Sequence, residues 1–390
     1  MHHIYADWAA TAPLHPAAIM TLRQFLDTPD PANPSAVHSY GLTATDRLDR
    51  ARQELAHVLR WDGQITFTAG GTESDGLAIW SLLHMFQHTH RRRILLSPME
   101  HPAVREALST FAPAMGYTVE ECAVTPHGTV DVSDFAARLG NDVAFAAVLA
   151  VQNETGVIQP VDTLAAMTHD CGGAFLSDCV QAVGHIPLPK EPDILTLSGH
   201  KFGAPNGTGA LLAKPGTKLS PLLKGGGQEM GIRGGTENVM GICAMVSAIQ
   251  AHTGEPDWMA QVRDRLETKL LGQMAEWGIP VTIAGRAAHR IATHSCIVYG
   301  CGASMIDVPD DHLPDGENIV LSCDMAGLAV SAGSACHSGE RTPSATLLAM
   351  GYTEAEARRL VRMSFGWSTT AAEMEKAYEI LAQTLRRQYQ

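Results

Sequence analysis

No stretch of this sequence stays apolar for the roughly 20 residues that a helical bilayer span needs, and the opening Met1-His2-His3-Ile4-Tyr5-Ala6-Asp7 turns acidic before a leader segment could form. A membrane-embedded or exported chain is therefore not expected. Positive charge is scarce as well. The 28 Lys and Arg stand against 41 Asp and Glu, for a net charge of −13, and the only basic cluster, Arg91-Arg92-Arg93, leads straight into the apolar Ile94-Leu95-Leu96. That balance argues against nucleic acid or an anionic membrane surface as a partner. Eight cysteines are scattered through 390 residues without paired spacing, which excludes a disulfide framework and points to free thiols in a reducing cytoplasm. Repeats and low-complexity segments are absent. His84 and His88 stand at helical i, i+4 spacing, but no third ligand or Glu-x-x-His pattern accompanies them, so no metal site is expected.

What is present centres on one lysine. Ser198-Gly199-His200-Lys201-Phe202-Gly203 follows a short apolar run at 193–197. A lysine held between a strand end and a glycine-rich turn is placed to form a Schiff base, although alone it reads more readily as a turn lysine on the surface. Asp178, at the end of another apolar run at 174–177, changes the balance. Pyridoxal 5'-phosphate (PLP) chemistry needs a lysine to carry the carbonyl and a carboxylate to keep the pyridine nitrogen protonated.

These residues and their neighbours resemble a known family. Asp178-Cys179-Val180-Gln181, Ser198-Gly199-His200-Lys201, Gly225-Gly226-Gly227-Gln228-Glu229, Arg233-Gly234-Gly235-Thr236-Glu237-Asn238 and Gly333-Ser334-Ala335-Cys336 are similar to motifs of the cysteine desulfurases, fold-type I PLP enzymes. The last is the sulfur-accepting motif of one branch. The resemblance runs nearly end to end, with departures: Trp8 and Ala12 stand where the family opening has asparagine and threonine, Trp367 where it has arginine after Gly366, and the segment 299–316 is longer than the family pattern.

Strands alternating with helices up to about residue 214 predict an α/β fold with a mostly parallel sheet and helices on both faces. Strands are expected at 65–68, 94–97 and 143–151, and helices at 16–25 and 43–59. The remainder, with strands near 281–283, 296–298 and 319–321 and helices near 343–350 and 371–386, reads as a smaller α+β domain. Gly254-Glu255-Pro256-Asp257 interrupts a long helical region. The boundary is placed there, giving a large PLP-binding domain at 14–255 and a small domain from 1–13 and 256–390.

Thr72, His101, Asn153, Asp178 and Lys201 all fall just after expected strands, where parallel sheets bind ligands. The turn Ala69-Gly70-Gly71-Thr72, opening a helix, suits a phosphate, because free amides and the helix dipole favour an anion. Arg362, in a small-domain strand, offers a guanidinium fork matched to a substrate carboxylate, with a structural ion pair as the alternative. The resemblance implies further roles. His101 would stack on the cofactor ring, Asn153 and Gln181 would bind its phenolic oxygen, and Ser198, His200, Thr72 and Gly71 would hold its phosphate. Thr236 would reach the phosphate site of a second subunit in a homodimer, and Asn33 would lie near the substrate carboxylate. Cys336 would take sulfur from L-cysteine as a persulfide, leaving L-alanine, for an acceptor such as an iron–sulfur scaffold or thiolation protein. Cys301 and Cys323 read as structural. A selenocysteine lyase shares every cofactor residue and is the nearest alternative; a non-catalytic subunit would have no need of Lys201, Asp178 and Cys336 together.

Overall fold

The computed structural model describes residues 3–30, 33–252, 254–301, 314–333 and 342–389. Cys336 and most of the long 299–316 segment lie outside them. The strands are β1 Ile4–Tyr5, β2 Gln64–Thr68, β3 Arg93–Leu96, β4 Thr118–Glu121, β5 Val143–Ala147, β6 Ala174–Asp178, β7 Ile194–Ser198, β8 Gly209–Ala213, β9 Val281–Ile283, β10 His294–Tyr299, β11 Leu328–Ala329 and β12 Leu360–Ser364. β2 to β8 form one sheet in the spatial order β2-β8-β7-β6-β5-β3-β4. It is parallel apart from β8, which runs antiparallel between β2 and β7.

Both faces of this sheet are covered except at its edge strand β4, which explains why β5 to β8 are buried at every position. The side-chain period of two divides them cleanly. Leu95, Phe175, Leu195 and Leu212 enter the core against Ser39–Leu59 and Val239–Ala251, while Ile94, Leu176, Ile194 and Leu211 enter the core against Gly71–Phe86 and Pro102–Ala114. The expected strand at 143–151 stops at Ala147. Beyond it the Val148 and Ala150 amides still bond to the Leu176 and Asp178 carbonyls, so the chain stays buried while it peels off toward the ligand-binding edge.

A second core gathers Ile4 and Ala6 with Ile297, Leu328, Val361, Met363 and Leu381. It is built on the antiparallel order β12-β10-β9 and on the parallel pair β1–β11. One expectation fails here: 319–321 is not a strand but part of the helix Gly316–Met325. Ile319 and Cys323, four apart, are buried together while Leu321 faces solvent, and a short apolar triplet cannot by itself distinguish the two periods. Cys301 and Cys323 are both buried, as their structural reading requires. No helix among the described residues is long and apolar enough to cross a membrane.

The helix Trp258–Glu276 is tied to the second sheet by a buried ion pair. Arg290 donates twice to Glu267, at 3.0 and 2.9 Å, and Ser295 Oγ donates to the same carboxylate at 2.7 Å. The two charged side chains are 2% and 0% exposed. Removing one partner of such a pair strands the other charge, and Arg286, 3.6 Å from Glu267 and partly exposed, compensates only in part. Arg290→Ala should lower stability by about 3 kcal/mol, read as a fall in the urea midpoint at unchanged slope.

Candidate active site

The carboxyl ends of β2, β3, β5, β6 and β7 open onto a cavity of about 930 Å³. β2 delivers Gly71 and Thr72, and the turn after β3 delivers His101. Asn153 follows β5, Asp178 ends β6 with Gln181 just beyond it, and Ser198 ends β7 with His200 and Lys201 just beyond it. Arg362 enters from β12, out of the other sheet.

Lys201 sits in the single 3-10 turn Gly199–Phe202, which the left-handed Gly203 terminates. Its Nζ donates to the carbonyls of Ala9 and Ala10 at 2.7 and 3.0 Å. Asp178 is buried, and its Oδ1 accepts the Val180 amide at 2.8 Å. Burial pushes its carboxyl up, while the Val180 amide, His101 and Lys201 pull it back toward the charged form. His101 caps the helix Pro102–Ala114, its Nδ1 accepting from the Ala103 amide at 3.1 Å. That bond leaves the proton of the neutral ring on Nε2. Burial lowers its pKa, with Asp178 opposing.

The sequence reading missed Asp75, one helical turn after Thr72. It is fully buried, accepts from Thr196 Oγ1 at 2.5 Å, and is held well above the usual carboxyl range by burial and by the nearby Asp178. Glu100 is raised in the same way by burial and accepts the Leu149 amide at 2.7 Å. Nothing in the spacing distinguishes these carboxyls from solvent-facing ones; only the packing around them does.

At the first turn of Gly71–Phe86 no side chain caps the helix, so its leading amides remain available for an anion. A Cβ at Gly71 would lie 3.3 Å from Ser198 Cβ; glycine keeps this cradle open. Beside it, His200 Nδ1 lies 3.3 Å from Thr11 Oγ1, and burial lowers its pKa to about 4 with Lys201 contributing. It can therefore hold an anion as a neutral donor and not as a cation. Arg362 is buried, with Nη2 donating to Asp7 Oδ1 at 2.8 Å and Nη1 to the Asn153 carbonyl at 2.9 Å. Its Nε is buried without a partner. Asp7, which the sequence reading did not single out, thus holds the arginine in place.

Two expected residues are not brought to the cavity. Asn33 is exposed, its side chain folded into an Asx turn on the Ser35 amide at 3.0 Å. Thr236 is exposed on the 225–238 stretch. Cys336 lies outside the described residues.

Residues 4–376 match the aminotransferase class-V family. The chain belongs to that family. It is 36% identical over 391 residues to a cysteine desulfurase of Gluconacetobacter diazotrophicus, covering 98% of this chain and 93% of that one. To a cysteine desulfurase of Cereibacter sphaeroides it is 35% identical over 387 residues, covering 98% and 95%. A solved NifS-like protein superposes with a TM-score of 0.84 at 25% identity, covering 98% of this chain and 99% of that one. This class-V protein is thus a PLP-dependent enzyme with the expected fold-type I architecture. Its cavity fits the cofactor on its own terms: a buried carboxylate for the pyridine nitrogen, an uncapped glycine-bordered helix start for the phosphate, a lysine at the end of a rigid turn, and an unpartnered arginine N–H for a substrate carboxylate.

The depressed His200 pKa carries a sign. A group whose folded pKa of about 4 lies below its ordinary 6.5 stabilises the fold above pH 6.5, and that contribution is lost as pH falls from 6.5 to 4. His200→Gln should therefore flatten the acid limb of a stability-versus-pH curve across this window, as measured by thermal unfolding at half-unit intervals.

Proposed function

We propose that the protein is a cysteine desulfurase that converts L-cysteine to L-alanine and carries the released sulfur as a persulfide on Cys336. The observation that carries this reading is the single cavity in which Lys201, Asp178, His101 and Arg362 converge from two separately built sheets. When bound, PLP supplies an electron sink that acidifies the substrate α-carbon and weakens the bond to sulfur at the β-carbon. Asp178, whose charged form the Val180 amide and the two nearby basic groups favour against burial, would hold the proton on the pyridine nitrogen. Gly71, Thr72, Ser198 and neutral His200 would hold the phosphate, and Gln181 and Asn153 the phenolic oxygen. Gln181 is already oriented by its Nε2 bond to the Ala9 carbonyl at 2.9 Å. The free Nε of Arg362 would bind the substrate carboxylate, in partial exchange for its bond to Asp7. Lys201, with its amine beside the substrate α-carbon, would take and return the α-proton.

The Cys336 thiolate would form an S–S bond to the substrate sulfur as the substrate C–S bond breaks. Alanine keeps the electrons and gains the proton, and no outside reductant is needed. Gly333 and Thr342, which bracket the segment carrying Cys336, line a space of about 510 Å³ that shares His101 and Asn153 with the main cavity. These shared side chains support a segment that works at the same cavity.

A homodimer is part of the same reading. Val37, Tyr40, Leu42, Leu223 and Met230 are large apolar side chains left exposed, Val37 by 93%, in the same two segments that carry Asn33 and Thr236. An exposed apolar surface of this kind is the mark of an interface, and a second copy covering it would bring both residues toward an active site. The division into domains at 14–255 and at 1–13 with 256–390 belongs to the same reading, supported by a second core that gathers Ile4 and Ala6 with residues from Met259 onward. A cytoplasmic location accords with the absence of disulfides among the described cysteines, and the sulfur acceptor would be an iron–sulfur scaffold or thiolation protein.

Borohydride reduction followed by peptide mass spectrometry should fix a cofactor-derived mass on Lys201; its appearance on another lysine overturns the assignment. With ³⁵S-cysteine as substrate, wild-type protein should retain label on the Cys336 peptide. Cys336→Ala should lose protein-bound label and sulfide release, by 100-fold or more if the thiol is the nucleophile, on the order of the losses seen when a reacting group is removed. Retained turnover in that variant would exclude the persulfide route.

A further inference from the structure

Lys201 and Gln181 border a second, much smaller space of about 10 Å³, a volume of the size that holds one water. Rings line it. Trp8 and Trp367 meet edge to face with centroids 4.6 Å apart, and His252 lies 5.4 Å from Trp367. The packing is tight: a Cβ on Gly366 would sit 2.1 Å from the Trp8 ring, and one on Gly203 would sit 2.6 Å from Trp367. Both tryptophans stand at positions where this chain departs from the residues its motifs otherwise follow.

The residues around it carry buried polar atoms without hydrogen-bond partners: both carboxylate oxygens of Glu255, Nδ1 of His185 and Nε2 of His294. Glu255 is 7% exposed, and His185 Nδ1 lies 3.3 Å from its Oε1, close enough for attraction but without an aligned hydrogen bond. His294 is buried, its other ring nitrogen 2.9 Å from Thr293 Oγ1. Unpartnered buried carboxylates are costly, and buried polar groups lacking a protein partner are normally satisfied by an ordered water making about three hydrogen bonds.

We propose that Glu255, His185 and His294 hold one internal water beside Lys201, and that through it the Glu255 carboxylate favours the protonated lysine nitrogen. This rests on Lys201 being the cofactor lysine. Glu255 acts as a positioning residue, through Lys201. The other titratable groups around it do not duplicate its charge. His294 is driven well below its ordinary pKa by burial and then by the Arg362, Arg263 and Lys201 cations. Burial likewise lowers His252, and also His15 at the start of Pro16–Asp27. Asp178 and His101 act on Lys201 from the large cavity, leaving Glu255 as the carboxylate of the small one.

The test is a pH titration of the visible absorbance of the holoenzyme, which follows protonation at the lysine–cofactor linkage. Glu255→Gln should lower the midpoint by about one pH unit, the order expected when an opposite charge near a cation is removed. Glu255→Asp, which keeps the charge, should restore most of the shift. A crystal structure of the wild-type holoenzyme should show a water bonded to Glu255 and His294. An unmoved midpoint in Glu255→Gln, an equal shift in Glu255→Asp, or a dry cavity overturns the inference, and the wild-type crystal decides alone if the variants do not fold. A cofactor adduct on a lysine other than Lys201 would bring down the functional reading beneath it.

Discussion

Asp178 is a carboxylate at the floor of a cavity, 8% exposed, and keeping charge there constrains everything around it. A buried carboxylate reverts to the neutral acid unless hydrogen bonds and cations oppose desolvation. Here the opposition comes from the Val180 amide, His101 and Lys201, which arrive from three different strand ends. The parallel arrangement of β2, β3, β5, β6 and β7 is what lets these groups meet, because it directs their carboxyl ends, and the loops that follow, to one edge of the sheet. Asp75 shows the other outcome of the same physics. Lacking a nearby cation in that ring of supports and lying next to Asp178, it is pushed well above the ordinary carboxyl range. Of the two neighbouring carboxyls, Asp75 is thus the one whose neutral form its surroundings favour more strongly.

The second constraint is that the site is shared between two cores. Arg362 belongs to β12, in the core that holds Ile4, Val361 and Met363, yet its guanidinium is fixed by Asp7 and by the carbonyl of Asn153 after β5. Lys201, on the large sheet, is held in turn by carbonyls of Ala9 and Ala10 from the first segment. The opening residues therefore stitch the lysine of one core to the arginine of the other. The positions of these two side chains are thus mechanically linked through a segment that makes little of either core by itself.

Much of this was legible in the sequence. The run of apolar strands, the glycine turn at 69–72, the lysine after 193–197 and the aspartate after 174–177 identify the fold and most of the cavity, because strand periodicity and turn chemistry are local properties that residue order carries directly. The class-V family membership follows from motifs spread over nearly the whole chain. Where order was ambiguous the reading failed: at 319–321 an apolar triplet fits either period, and only the joint burial of Ile319 and Cys323 selects the helix.

What tertiary structure alone decided concerns partners far apart in sequence. Asp7 on Arg362, Thr196 on Asp75, the edge-to-face contact of Trp8 with Trp367, and the gathering of His185, Glu255 and His294 beside Lys201 join residues that no spacing rule connects. Asn33 and Thr236, named by resemblance, stay at the surface of the single chain. Side-chain chemistry is written in the residue, but burial, and with it charge state and hydrogen-bond demand, is a property of what the rest of the chain packs around that residue.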